Sequence, residues 1–304
     1  MILVDFQQTA ICTLTGILGK DKNIEVDDKM MRHIILNMLL DYKTRYGKRF
    51  GDLVITTDGN NYWRREIFPH YKFGRKKQRD ESEYDWVQIK SSLNTVQKEL
   101  AEFFPYPVIE TPRAEADDII AVMCDWSQEN DLEQPFDEPK DLLIMSADTD
   151  MFQCHKLKNV KQVTPNGMEQ IKSKVPLKQF ILEHTLTGDA GDGIPNFLSS
   201  DDFFYQKSLT PDIKVRQKPV TATIKKHYME VMEDDGLVRE FRNEEEKKNY
   251  ERNYQLVDFR CIPDSVRESI IASYQSQLGK DRSSVLSYLI NNKIKNLVDR
   301  VEDF

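Results

Sequence analysis

The chain has 304 residues, 39% of them hydrophobic and 31% charged, with a formal net charge of −8. That length supports one large domain or two smaller ones with a real core, and the composition excludes disorder throughout. No stretch approaches a membrane span, and the opening "MILVDFQQTAICTLTGILGK" carries Asp5 near its front and no basic residue before Lys20, unlike a secretory signal.

In chain order, "ILVDF" (2–6) reads as a buried strand. A helix is predicted over 28–46, with Met30, Ile34, Leu36 and Leu40 among its apolar positions. "LVITT" (53–57) is β-branched and predicts a second strand. Residues 83–104 predict a helix through Trp86, Ile89, Leu93, Val96 and Leu100, and "EADDIIAVMCDW" (115–126) predicts another. A polar loop leads to the third strand, "DLLIM" (141–145). Strands separated by helices point to an α/β fold with a mainly parallel, doubly wound sheet. The second half is mostly helical. A helix is expected over 177–187, then a Gly-rich loop, then a helix begun near Ser199 to Asp202. Further helices are expected near 222–233, 244–254, 264–276 and 283–298. The chain is expected to divide into 1–180 and 181–304.

The cysteines (Cys12, Cys124, Cys154, Cys261) are far apart with no C-x-x-C, which fits a reducing compartment rather than a disulfide framework. No H-x-H or H-E-x-x-H occurs, so any metal would be a hard, oxygen-bound one. The negative total charge hides local excesses. "RREIFPHYKFGRKKQR" (64–79) holds Arg64, Arg65, Lys72, Arg75, Lys76, Lys77 and Arg79 against Glu66. A later stretch holds Lys207, Lys214, Arg216, Lys218, Lys225 and Lys226 against Asp212. With a Debye length of ~8 Å at physiological salt, distant acids hardly dilute such patches.

Each predicted strand ends on acid: Asp5, Asp58, and the pair Asp148 and Asp150. The C-terminal edge of an open parallel sheet is where ligands bind. Glu115, Asp117 and Asp118 open a helix, and Asp189 and Asp192 sit in "GDAGDGIPN". Each has a plain reading as a helix cap, first-turn acid or turn residue. Together they argue for metal. Two carboxylates ~4 Å apart repel by ~4 kcal/mol at an effective dielectric of 20, so several in one crevice call for cations. An all-oxygen site suits Mg²⁺ or Mn²⁺, and two such ions are a common solution for cutting a phosphodiester. The glycines Gly188, Gly191 and Gly193 allow close backbone approach, and turn amides hold phosphate. Such helix-loop-helix elements grip a duplex without reading sequence.

The segments "ILVDF", "VITTDGNNYWRREI", "YKFGR", "EADDIIA", "SADTDMF" and "TGDAGDGIP" resemble, in order, the 5′-nuclease (flap endonuclease) superfamily, and within it the RNase H group of T-even-type bacteriophages. The resemblance covers nearly the whole chain. It implies a PIN-like 5′-nuclease core, a helix-three-turn-helix element and a mostly helical C-terminal region. It implies a Mg²⁺-dependent 5′→3′ nuclease acting on RNA–DNA hybrids, duplex 5′ ends and 5′ flaps and removing RNA primers during replication; with no signal peptide or membrane span it is expected in the host cytoplasm, and a monomer is the default. A single-stranded-DNA-binding protein or sliding clamp is the implied protein partner. One ion would draw on Asp5, Asp58, Glu115, Asp117 and Asp148, with Asp118 close by, and a second on Asp150, Asp189 and Asp192. The segment 62–100 would form an arch. Lys72 and Arg75 match basic positions that polarise the scissile phosphate, and Arg64 and Arg65 match a nearby basic pair. Tyr71, inside the basic run, is the aromatic expected to meet bases, whereas Tyr62 and Trp63 are expected to pack. Relatives often read G-[IV]-P-G where this chain has Asn196, which puts K⁺ binding and the duplex grip there in doubt. The competing reading is a non-catalytic, structure-specific DNA-binding protein on the same fold. A PIN-type ribonuclease is a third reading, and it would lack the helix-loop-helix.

Overall fold

The computed structural model describes residues 1–19, 26–82, 84–131, 141–167, 169–209 and 215–304. The chain runs β1 (Ile2–Asp5), α1 (Phe6–Leu18), α2 (Asp28–Phe50), β2 (Leu53–Thr57), α3 (Trp63–Ile67), α4 (Arg75–Asp80) and α5 (Trp86–Phe103). It continues through β3 (Val108–Glu110), α6 (Ala116–Asp131), β4 (Leu142–Met145), a 3-10 helix (Thr149–Lys156) and β5 (Val160–Val163). Then come α7 (Leu177–Thr187), α8 (Phe203–Leu209), α9 (Ala222–Glu230), α10 (Glu244–Val257), α11 (Asp264–Gln275) and α12 (Val285–Asn291). Short 3-10 turns lie at Phe259–Cys261 and Lys295–Asp303.

The contacts divide the chain into two compact units. The first comprises Met1–Asn60, Glu83–Lys172 and Pro263–Phe304, and the second Asn61–Ser82 and Ser173–Ile262. A single cut near residue 180 does not describe these units, because the last 42 residues return to the first. The expected arch over 62–100 is likewise shared out. Its C-terminal part is α5, whose Ile89, Leu93, Val96 and Leu100 are buried in the core with α2.

The first unit is built on a five-stranded sheet in the order β3-β2-β1-β4-β5, with every pairing parallel. β1 is fully buried and central, pairing Ile2 with Leu53 on one side and with Leu143 on the other. An unbroken apolar run is what a strand covered on both faces requires. The chain winds outward from β1 to β3, then crosses back to β4. The strand order therefore reverses between β1 and β4, the place where doubly wound sheets bind ligands.

Two short strands, β3 and β5, were not expected from the sequence. The edge of β3 is covered by Gln277, whose side chain accepts from the Val108 amide (3.0 Å) and donates to its carbonyl (2.9 Å). That protects an edge from pairing elsewhere. The helix expected over 283–298 is broken after α12, where Lys293 has φ +59°. The second unit packs α7 and α10 together around Leu182, Leu186, Phe197, Tyr228, Val238 and Tyr250. All four cysteines are free. Among the described residues, no helix is long and apolar enough to cross a membrane.

Candidate active site

β1 ends on Asp5, which also caps α1: its carboxylate accepts from the Gln8 amide at 3.2 Å. Asp5 is only 6% exposed. Burial first, and then the nearby charges of Asp58 and Asp148, raise its pKa to about 7, against hydrogen bonds from Gln8 and Ser146 that lower it. A buried carboxyl facing two like-charged neighbours is poorly satisfied by protein alone. The donor set suits a hard divalent cation.

Asp58 follows β2 and is drawn to the start of α6, where it accepts from the Ala116 amide at 2.9 Å. This close approach depends on Gly59. A Cβ there would lie 2.0 Å from the Thr111 carbonyl oxygen. The Gly59 amide instead donates to the Ala114 carbonyl, and the Arg113 amide to that of Asn60. Glu115, Asp117 and Asp118 therefore enter α6 beside Asp58. Glu115 and Asp118 are buried, and Asp118 accepts from the Glu115 amide at 3.0 Å.

Asp148 and Asp150 lie beyond the end of β4, in the cap and first turn of the 3-10 helix Thr149–Lys156. The Asp148 carboxylate accepts from the Asp150 amide (2.9 Å), so strand alternation does not govern where the two acids point. Sequence reasoning missed the residues that hold this edge together. The Ser146 hydroxyl lies 2.9 Å from the side-chain oxygen of Gln8 and 3.3 Å from the Asp5 carboxylate and can donate to one of them, and the same Gln8 oxygen accepts from the Ala147 amide (2.6 Å). Gln7 accepts from the Asp58 amide, and Gln162 donates to the Ser146 and Asp148 carbonyls. The one available signal was the pair Gln7 and Gln8, separated from the strand-end Asp5 only by Phe6. Among the described residues, no three carboxylate, imidazole or thiol groups stand as a ready-made cage. Mg²⁺ commonly takes one or two carboxylates and keeps several waters, so a preformed cage is not what it needs.

The expected second ligand set is not contained in one unit: Asp150 belongs to the first, Asp189 and Asp192 to the second. In the second unit α7 ends at Gly188 (φ +64°), where a Cβ would meet the Ile194 carbonyl oxygen at 2.4 Å. Asp189 and Ile194 exchange backbone hydrogen bonds of 2.9 and 2.7 Å and close the loop. Inside it the Asp189 carboxylate accepts from the Gly191 amide at 2.7 Å, the turn role its sequence allowed. Asn196 is buried and structural. It accepts from the Leu198 amide and the Ser199 hydroxyl and donates to the Lys218 carbonyl.

Asp192 gathers the basic segment. Its carboxylate accepts from the Tyr71 hydroxyl (3.0 Å), pairs with Arg75, and lies 3.7 Å from Lys72 Nζ. The Asp192 carbonyl accepts from the Lys72 amide at 2.7 Å. Lys72 has φ +57°, a left-handed conformation costing on the order of 1–3 kcal/mol and tolerated where the surroundings impose it.

Two expectations need correction. Tyr71 is 4% exposed and packs with Phe68, Ile194 and Leu256, so its ring has no open face for a base. Arg64 is 3% exposed and donates to the Leu256 carbonyl at 2.8 Å, so it is a structural cation rather than a nucleic-acid contact. Trp63 is buried, as expected of packing. Arg65, Arg75, Lys77, Arg216 and Lys218 are exposed, and Arg79 is half-buried. Lys76 lies on α4, and Lys214 lies outside the described residues.

A parallel α/β sheet with acids gathered at its switch point is the setting of this site, and the family matches make it that of a nuclease. The chain belongs to the 5′–3′ exonuclease family: its N-terminal resolvase-like domain matches residues 22–181, and the C-terminal domain of T4 RNase H matches 178–304. The protein is thus a phosphodiester hydrolase. It is 30% identical over 312 residues to the Ribonuclease H of Enterobacteria phage T4, covering 99% of this chain and 95% of that one. Its fold is shared with the flap endonuclease of bacteriophage T5 in a complex with DNA and metal ions, at TM-score 0.57 and 15% identity, over 91% of this chain and 97% of that one. A second T5 structure, co-crystallized with metal ions, aligns at TM-score 0.56 with the same identity and coverage.

Proposed function

We propose that the protein is a Mg²⁺-dependent 5′→3′ nuclease that removes RNA primers and 5′ flaps during DNA replication, in the cytoplasm of the host cell. The observation that carries the metal reading is the crowding of Asp5, Asp58 and Asp148 at the strand-order reversal. These acids, with Glu115 and Asp117, would hold the ion, and Mn²⁺ would substitute. Two ions per chain are expected. Such ions, when bound, supply a water of lowered pKa and a charge clamp on the scissile phosphate. Asp58 ties the ligand-bearing start of α6 to the sheet, and Ser146 and the Gln8 side chain fix the neighbouring strand ends. Lys72 and Arg75, which pair with Asp192, would supply positive charge for a substrate phosphate. Exposed Arg65, Lys77, Arg216 and Lys218 contribute sequence-independent backbone affinity.

The test offers a 5′-flapped DNA and an RNA–DNA hybrid, with Mg²⁺ and then with EDTA, to the wild type and to Asp117→Ala. Cleavage from the 5′ end should vanish in both controls. Retained cutting in EDTA would sink the metal reading, and binding without cutting in the wild type would favour a non-catalytic DNA-binding protein.

A further inference from the structure

Among the described residues, Tyr205 is the only phenylalanine, tyrosine or tryptophan that is exposed, at 41%. It sits on α8, a helix with no buried residue. A single exposed apolar residue needs no explanation. Tyr205 differs because its ring is held. It stacks on His70 with centroids 5.1 Å apart and planes 23° apart, and Phe73 meets it edge-on at 6.1 Å. His70 is in turn set edge-on against Phe68 and Phe73. The Gly-rich loop backs this group: a Cβ on Gly193 (φ +74°) would lie 3.1 Å from the His70 carbonyl oxygen and 3.4 Å from the Phe73 ring.

The flat ring faces, rather than the mixed charges beside them, suit a flat-faced occupant. Phe73 lies between Lys72 and Arg75 in sequence, both of which pair with Asp192, and exposed Lys207 lies two residues after Tyr205, on a different face of α8. Of the acids near the rings, Asp201 pairs with Arg252 and Lys248, whereas Asp202 accepts from the neutral Gln206 and keeps its charge. Aromatic rings beside cations bind unpaired bases, because every base has a π-face.

We propose that Tyr205, braced by His70 and Phe73, is a stacking platform for an unpaired base in a single-stranded arm of the substrate. This rests on the nuclease reading above and adds to it a contact that neither the acids nor the Asp192 group provides. Fluorescence anisotropy in EDTA, with a labelled oligo(dT) and a blunt duplex, tests it on the full chain. Tyr205→Ala should weaken oligo(dT) binding about 5- to 160-fold, the range of one base–aromatic stack, and leave duplex binding unchanged. Tyr205→Trp should keep the affinity, with its emission quenched by the oligonucleotide; this variant decides the matter if Tyr205→Ala fails to fold. The platform is overturned by an unchanged oligo(dT) affinity in Tyr205→Ala, by an equal loss on duplex, or by an unresponsive tryptophan. It is also overturned if the wild type forms a dimer that Tyr205→Ala abolishes while oligonucleotide affinity stays the same. Wild-type cleavage of a flapped duplex in Mg²⁺, run alongside, separates the two failures. A wild type that does not cut fails the nuclease reading, and one that cuts while Tyr205→Ala binds normally fails the platform alone.

Discussion

The carboxylate of Asp5 caps α1 and at the same time lies nearly buried beside Asp58 and Asp148. The cap contributes stability and the crowding opposes it, so the two can be separated by chemistry. Asparagine caps a helix about as well as aspartate but carries no charge. Asp5→Asn should therefore raise the melting temperature of the metal-free protein near pH 8, by roughly 2–4 °C for each kcal/mol of repulsion relieved. It should also lose the gain that Mg²⁺ gives the wild type. A melting temperature lowered without metal would show that the cap, or a hydrogen bond, outweighs the repulsion. Lys72 poses a similar separation. Its amide donates to the Asp192 carbonyl, and its Nζ lies 3.7 Å from the Asp192 carboxylate. Lys72→Ala is expected to slow single-turnover cleavage by about 10²-fold or more while weakening DNA binding by less than about tenfold, because charge aimed at a reacting phosphate acts in the transition state. A loss confined to affinity would make Lys72 a tether.

At the scale of elements, the site depends on how β2 meets the start of α6. The residues 58–60 and 111–116 interlock through backbone hydrogen bonds that only glycine at 59 permits. Gly59→Ala must push the Thr111 carbonyl away, with a cost of ~1–3 kcal/mol from overpacking. Misplacing catalytic groups by about 1 Å can lower rates ~10²-fold, so Mg²⁺-dependent cleavage should fall by about that factor at a temperature where the variant is folded. Cleavage within twofold of wild type would show that the junction tolerates displacement. β2 and α7 were legible to the residue, because β-branched runs and a Pro-led helical start are local signals. α1 was not assigned. Its "ICTLTGIL" is rich in β-branched residues, and its threonines Thr9, Thr13 and Thr15 satisfy their hydroxyls on carbonyls four residues back within the helix. β3 and β5 were missed because they are short and lie at the sheet edges, where only their neighbours reveal them. The burial of Arg64 and Tyr71 was equally invisible: their partners Leu256 and Asp192 lie more than a hundred residues away.

At the scale of the whole molecule, the acids were readable as a set because parallel strands deliver their C-terminal ends to one edge, whatever the loops do. The supporting amides of Gln7, Gln8 and Gln162 were not, since uncharged side chains carry no sequence pattern that separates a scaffold from a surface. The division into units was also hidden, because residues 263–304 return to the first unit only through tertiary packing, with Tyr288, Leu297 and Phe304 in its core. If carboxylates at the switch point carry the chemistry, Asp148→Asn removes one of them with little change of shape. Asparagine keeps the acceptor that the Asp150 amide uses while removing one ligand charge. Single-turnover cleavage of a 5′-flapped duplex in saturating Mg²⁺, with DNA affinity measured in parallel, should show a loss of about 10³-fold or more and an affinity within a few-fold of wild type. Cleavage within a few-fold of wild type would contradict the account.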